Sequence, residues 1–182
     1  MPATRGIGFY TSVVTALSRM NDDIWLCVGQ ADPWDGGVPP LEDEEGVPNP
    51  ILYKKITNGV KLVKQVLITD PWEYTYKTIV DGSPVIRYFK SITENEARDD
   101  HQKLVLFFGD INPGDGGLSE ITFRAVGFYQ GIVPATGHES DTVLLPADIT
   151  NTGNTLLVQN YSSAAVVNAD GSGEIKIIVN LR

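Results

Sequence analysis

Hydrophobic and polar positions alternate with a period of two over most of this chain, and few stretches repeat at helical spacing. In Ile24-Trp25-Leu26-Cys27-Val28 both parities are apolar, with Ile24, Leu26 and Val28 on one side of an extended strand and Trp25 and Cys27 on the other. Such a strand is covered on both faces. Regular structure then stops, because Pro33, Pro39 and Pro40 lack backbone donors and Asp35-Gly36-Gly37 suits a tight turn. Alternation resumes over residues 59–68 and 72–80. Asp81-Gly82-Ser83-Pro84 then turns the chain back through residues 85–89, so residues 73–89 read as a hairpin in which Trp72, Tyr74 and Tyr76 share one face.

Residues 93–103 are polar and predict an outside crossing, after which the apolar run 104–108 predicts a strand buried on both faces. Residues 110–117 form a glycine-rich turn. Residues 121–131 predict another strand, in which Gly127 and Gly131 mark a bulge or a close backbone approach. Three closing strands are predicted over 155–158, 164–167 and 174–181, joined through 160–163 and 169–173. Val13, Val14, Leu17 and Met20 predict one amphipathic helix over 11–20, with Ser12 as cap. Strands at short intervals with turn chemistry between them predict an all-β fold. The expected architecture is an antiparallel β-sandwich with one short N-terminal helix and long loops, a single domain over residues 1–182.

The formal charge is −9, and the 14 Lys and Arg are scattered, a surface that repels phosphate and excludes nucleic acid and anionic lipid as main partners. No apolar run nears the roughly 20 residues of a membrane-crossing helix. The amino terminus has no long apolar region of the secretory kind, so the product is expected to stay where it is made. Glu42-Asp43-Glu44-Glu45 reads as a solvated run, expected to lie outside any contact between copies because adjacent like charges repel.

Catalytic, cofactor-binding and metal-binding residues are all expected to be none. The only histidines, His101 and His138, fall in polar loops, and the nearness of His138 to Ser140 and Asp141 in sequence does not make a triad. The lone Cys27 reads as a small buried apolar residue and cannot form an internal disulfide. Asp110 to Gly117 superficially resembles a calcium loop, but the sixth position is Asp115 and the twelfth Ile121, where an EF-hand needs Gly and Glu. Gly6-Ile7-Gly8 lacks the preceding strand of a dinucleotide fingerprint.

Two stretches carry a resemblance. Trp25-Leu26-Cys27-Val28-Gly29, followed by Pro33-Trp34-Asp35 and Pro39-Pro40, resembles an amino-terminal signature of bacteriophage virion proteins similar to the baseplate wedge subunits of contractile-tailed phages. Leu144-Leu145-Pro146, Gly153, Leu156-Leu157, Asn160, Asp170 and Glu174-Ile175-Lys176-Ile177-Ile178 look like that family's closing segment. The pattern has Arg and Pro-Ile after the Asn, where this chain has Tyr161-Ser162-Ser163-Ala164-Ala165.

The resemblance implies a structural virion protein of a tailed phage, a tail, baseplate wedge or neck component assembled in the host cytoplasm. It would bind other phage virion proteins and copies of itself in a symmetric assembly, without catalysis. Trp34, Pro39 and Pro40 are the candidate interface or structural anchor, since rigid aromatic and proline surfaces lose little entropy on binding. The alternative is a carbohydrate- or receptor-binding β-sandwich that uses Trp72, Tyr74 and Tyr76 as an exposed stacking platform.

Overall fold

The computed structural model describes Ala16, Arg19 and residues 23–40, 46–99, 104–169 and 171–181. Gly6-Ile7-Gly8, the acidic run at 42–45, His101 and Asp170 lie outside the described residues, as does the helix predicted over 11–20 except for Ala16 and Arg19, both helical. The fold is all-β, and its chain divides into two compact units.

One unit gathers Asp22–Thr57 and Gly109–Ile175. Its main sheet has the order β11-β7-β1-β2-β9, built from β1 (Ile24–Gly29), β2 (Pro50–Ile56), β7 (Ile121–Gln130), β9 (Val143–Leu144) and β11 (Asn154–Val167). β1 runs antiparallel to both neighbours, with Leu26 opposite Lys54 on one side and Phe128 on the other. All six of its residues are buried, as a strand apolar on both faces requires. β8 (Val133–Pro134) and β10 (Ile149–Asn151) form a small separate pair.

The sequence expectations omit β2. Pro48, Pro50 and the Lys54-Lys55 pair break its apolar alternation, and Pro50 is tolerated as the first residue of the strand, where a missing donor matters least. A second correction concerns β11. The strands expected over 155–158 and 164–167 are one strand, whose register against β7 jumps between Asn160, opposite Ala125, and Ala165, opposite Phe123. Residues 161–164 are therefore taken up in a wide bulge and do not reverse the chain.

Trp25, Cys27, Trp34, Tyr53, Tyr129 and Leu144 are the principal side chains of this unit's core. Tyr53 and Tyr129 meet edge to face, ring centroids 5.5 Å apart. Gly127 marks the close approach expected of it: a Cβ there would lie 2.6 Å from Val47 Cγ2 and 3.1 Å from the Leu157 carbonyl oxygen.

The other unit includes Asn58–Phe108 and Lys176–Arg182. Its sheet has the order β12-β6-β3-β5-β4, formed by β3 (Val60–Val66), β4 (Tyr74–Val80), β5 (Ser83–Ser91), β6 (Leu104–Ile111) and β12 (Gly173–Asn180). The division between the units falls within β6 and β12. The predicted hairpin is present, paired from Tyr74 opposite Phe89 to Val80 opposite Ser83. Asp81 and Gly82 alone make its turn, at φ 50° and 78°, the left-handed pair that matches strand twist in a two-residue hairpin. Val63, Phe89, Leu104 and Leu106 form the buried cluster, with Tyr74, Tyr76, Phe108 and Ile178 half-buried against it.

The crossing expected over 93–103 contains a helix, Glu94–Asp99. The Thr93 hydroxyl accepts from the Glu96 N–H at 3.3 Å, while the Glu96 carboxylate accepts from the Thr93 N–H at 2.8 Å. That reciprocal pair is a capping box, and it starts a helix within a segment otherwise read as loop. Among the described residues no helix is long and apolar enough to cross a membrane.

Candidate functional site

Trp34 sits in the proline-rich loop that leaves β1, directly before a 3-10 turn at Asp35–Gly37. Its ring is buried in the cluster of Trp25, Tyr53 and Tyr129, and its Nε1–H donates to the Tyr161 carbonyl at 2.7 Å. Tyr161 lies in the β11 bulge, so the extra residues of that strand turn a carbonyl toward the loop. The loop is held at other points too. The Gln30 side chain is buried, donates to the Asp32 carbonyl at 3.0 Å and accepts from Asn49 Nδ2 at 2.7 Å. Arg124 donates to the Ala31 carbonyl, and Asn160 Nδ2 to the Pro40 carbonyl at 3.2 Å. Pro39 is half-buried, whereas Pro40 and Val38 are exposed. The three candidate anchor residues therefore part company: Trp34 points into its own unit, and Pro39 and Pro40 remain on the surface.

The three rings of the expected platform also separate. Tyr74 and Tyr76 share the face of Phe89, half-buried against the cluster that includes Phe108 and Ile178. Trp72 precedes β4, and its ring lies 5.3 Å from that of Tyr88, which pairs with Thr75 on the opposite face of the hairpin. Counting by parity from Tyr74 placed Trp72 on the wrong side, because the strand begins only at Tyr74. A single exposed platform of Trp72, Tyr74 and Tyr76 is thus not formed. On the Phe89 face a cleft of about 280 Å³ is lined by Tyr76, Arg87, Leu104 and Ile178.

The Tyr88 face has another character. Lys64 and Lys90 stand directly opposite each other on β3 and β5, and Val66 opposes Tyr88. Lys77 opposes Ile86 and Ile79 opposes Pro84 on the same face. Trp72, Ile79 and Ile86 are 46%, 64% and 55% exposed. β5 pairs with β3 only through Tyr88–Ser91, so the hairpin beyond Tyr88 is a two-stranded ribbon reaching past its sheet. The alternation that puts the tyrosines on one face leaves Lys77, Ile79 and Ile86 to the other, which is the signal in the sequence for this surface.

His138 Nδ1 lies 2.9 Å from Asp141 Oδ2 and its Nε2 3.5 Å from Asp148 Oδ1, so both ring nitrogens face carboxylates and neither is turned to Ser140 as a base. The hydrogen bond to Asp141, joined by the negative charge of Asp148, holds the His138 pKa above its ordinary value. Burial pushes the Cys27 thiol well up, away from the reactive thiolate form. Burial likewise pushes the Tyr129 hydroxyl up to about 12, although it accepts from the Val47 N–H at 2.6 Å.

In the turn over 110–117, Lys54 Nζ stands 3.1 Å from Asp110 and 3.0 Å from Asp115. Asp115 also accepts from the Asn112 N–H at 2.7 Å, as the side chain of a tight turn does. An ammonium from β2 thus occupies the place between these carboxylates.

The family model that matches this chain is described as a baseplate wedge 3 tail fiber network component, and it spans residues 10–181. No curated protein sequence matches the chain.

Proposed function

The chain belongs to the family of baseplate wedge 3 tail fiber network components, and from that premise we propose that it works by binding other virion proteins, without catalysis. The family is a structural part of the phage baseplate, which places the chain's role in the tail of the virion. The finer reading is an assembly element made in the host cytoplasm, whose residues 1–182 act as one domain and whose copies meet within a symmetric particle. Neither nucleic acid nor membrane is its partner, in keeping with a formal charge of −9.

The observation that carries this reading is the match to that family over residues 10–181. The engagement of both His138 nitrogens and the burial of Cys27 support the non-catalytic part. Disruption of the gene in a phage that carries it tests the proposal. The expected result is loss of infectious particles, with tails whose baseplates lack density for this chain and for whatever it holds. Complete, infectious virions without the protein would overturn it.

A further inference from the structure

Three adjacent strands of this acidic protein carry no carboxylate. β3, β4 and β5 contain Lys61, Lys64, Lys77, Arg87 and Lys90, five of the chain's 14 cations, and no Asp or Glu. Lys64, Lys77 and Lys90 project from the Tyr88 face, and none of them has a salt bridge among the described residues. Two acids stand near them: Glu96, whose carboxylate accepts from the Thr93 N–H and hydroxyl and also feels the charge of Lys64 and Lys90, and Asp70, which lines the same concavity and accepts from the Leu67 N–H at 3.3 Å.

Like charges directly opposite on paired strands repel, so the Lys64–Lys90 pair draws negative charge, part of which Glu96 supplies. Both line a concavity of about 640 Å³ that continues to Val66 and Pro71. Beyond it lie the exposed rings and aliphatic groups of Trp72, Ile79 and Ile86. A ribbon that is apolar, exposed and cationic, standing beyond its sheet, is poorly suited to water and well suited to a partner that supplies both apolar groups and negative charge.

β4 is the edge strand of its sheet. A strand added there would send every second side chain to the Phe89 face, so a partner that meets both the lysines and the apolar groups lies across the Tyr88 face itself. We infer that the Tyr88 face of the β4–β5 ribbon binds a segment of another virion protein that presents acidic and apolar side chains together on one side. The carboxylates meet Lys64, Lys90 and Lys77, and the apolar side chains cover Trp72, Ile79 and Ile86. This inference rests on the baseplate reading and adds the chemistry of the partner.

The test compares lysine acetylation by a water-soluble succinimidyl acetate in intact virions and in the isolated chain, joined to zero-length carbodiimide coupling of the virions. Lys64, Lys77 and Lys90 are expected to react on the order of tenfold more slowly in the particle, as desolvated interface groups do. At least one of them should couple to an Asp or Glu in a different virion protein, within a stretch that carries both acidic and apolar residues. Unchanged acetylation overturns the inference. So does coupling confined to this chain or to a second copy, and so does protection without coupling to any protein carboxylate, the outcome that nucleic acid or lipid would give.

A variant arm guards against misfolding. Lys64→Gln combined with Lys90→Gln should melt close to the parent, because the repulsion relieved offsets the attraction to Glu96 that is lost, and yet enter particles on the order of tenfold less when it competes with the parent chain. Equal incorporation overturns the inference. If the chain is absent from purified virions the baseplate reading itself falls, whereas a chain present with freely reactive lysines defeats only the partner surface.

Discussion

Trp34 and Tyr161 stand 127 positions apart in the chain, and the indole N–H of one donates to the carbonyl of the other at 2.7 Å. The contact joins a loop without regular structure to the irregular part of a long strand. Each irregularity accounts for the other: the bulge supplies the acceptor, and the buried ring fixes where the loop must run. Trp34→Phe keeps most of the ring and loses the donor, so it should cost about 1 kcal/mol. Trp34→Ala should cost about 3–5 kcal/mol through the cavity it leaves. Urea unfolding of the purified variants measures both, and equal small losses would mean that the ring does not belong to the core.

Gly127 and Gly82 should respond differently to alanine. At Gly127 the added methyl meets Val47 Cγ2 at 2.6 Å and a carbonyl at 3.1 Å, so overpacking should destabilise by about 1–3 kcal/mol. At Gly82 nothing lies within 4 Å, and only the φ of 78° resists, so the loss should be about 1 kcal/mol. Thermal melts that reversed this order would contradict the packing at Val47.

Lys54 is the cation of a half-buried turn. Lys54→Met leaves Asp110 and Asp115 without it and should destabilise by about 2 kcal/mol, the scale of hydrogen bonds to charged groups. Adding Asp115→Asn should recover part of that loss, since the carboxylate left without its cation is then neutral. A double-mutant cycle that gave no coupling would show the three groups to be independent.

His138 contributes a pH-dependent increment with a definite sign. Its folded-state pKa is raised, chiefly by Asp141, so the stabilisation is full below the unfolded value near 6.5 and vanishes as pH climbs through the folded value. NMR titration of the ring protons should give a midpoint above 6.5, which Asp141→Asn moves down. The melting difference between the parent and His138→Gln should be largest on the acid side. A difference that grew toward alkaline pH would refute the contact.

Cys27 should stay unreactive toward an aromatic disulfide reagent until the protein opens. It is completely buried and its thiol is held protonated. Labelling should therefore rise in step with denaturant unfolding, and rapid labelling of the native chain would place Cys27 outside the core.

The elements legible in the sequence are those whose signals are local. β1 declares itself because Ile24 to Val28 is apolar on both parities, and the hairpin because Asp81-Gly82 supplies the left-handed pair its turn needs. Thr93 and Glu96 also carry a local signal, a capping box, but the polarity of the segment drew the reading toward loop. β2 was hidden for a different reason: its Lys54 is matched by Asp110 and Asp115, more than fifty residues away, and no window along the chain contains that compensation. The β11 bulge is likewise a tertiary fact, since Asn160 to Ser163 reads as turn chemistry until the Trp34 loop is set against it. The Tyr88 face was obscured by the tyrosines opposite it, whose half-burial takes the support from the ring platform.

Both units are sewn from separated segments, and this orders events on the ribosome. β6 has β12 as a sheet neighbour, yet about 70 residues, the whole of β7 to β11 among them, are made after β6 before that neighbour is complete. At ordinary rates of synthesis the wait is roughly 4–14 s. Through that interval the apolar Leu104–Ile111 strand has an open edge, the hazard that unpaired strands present to other nascent chains. Truncated products that stop before Gly173 should accordingly accumulate as aggregates. The late arrival of β12 makes its own synthesis the step that closes the exposed edge of β6.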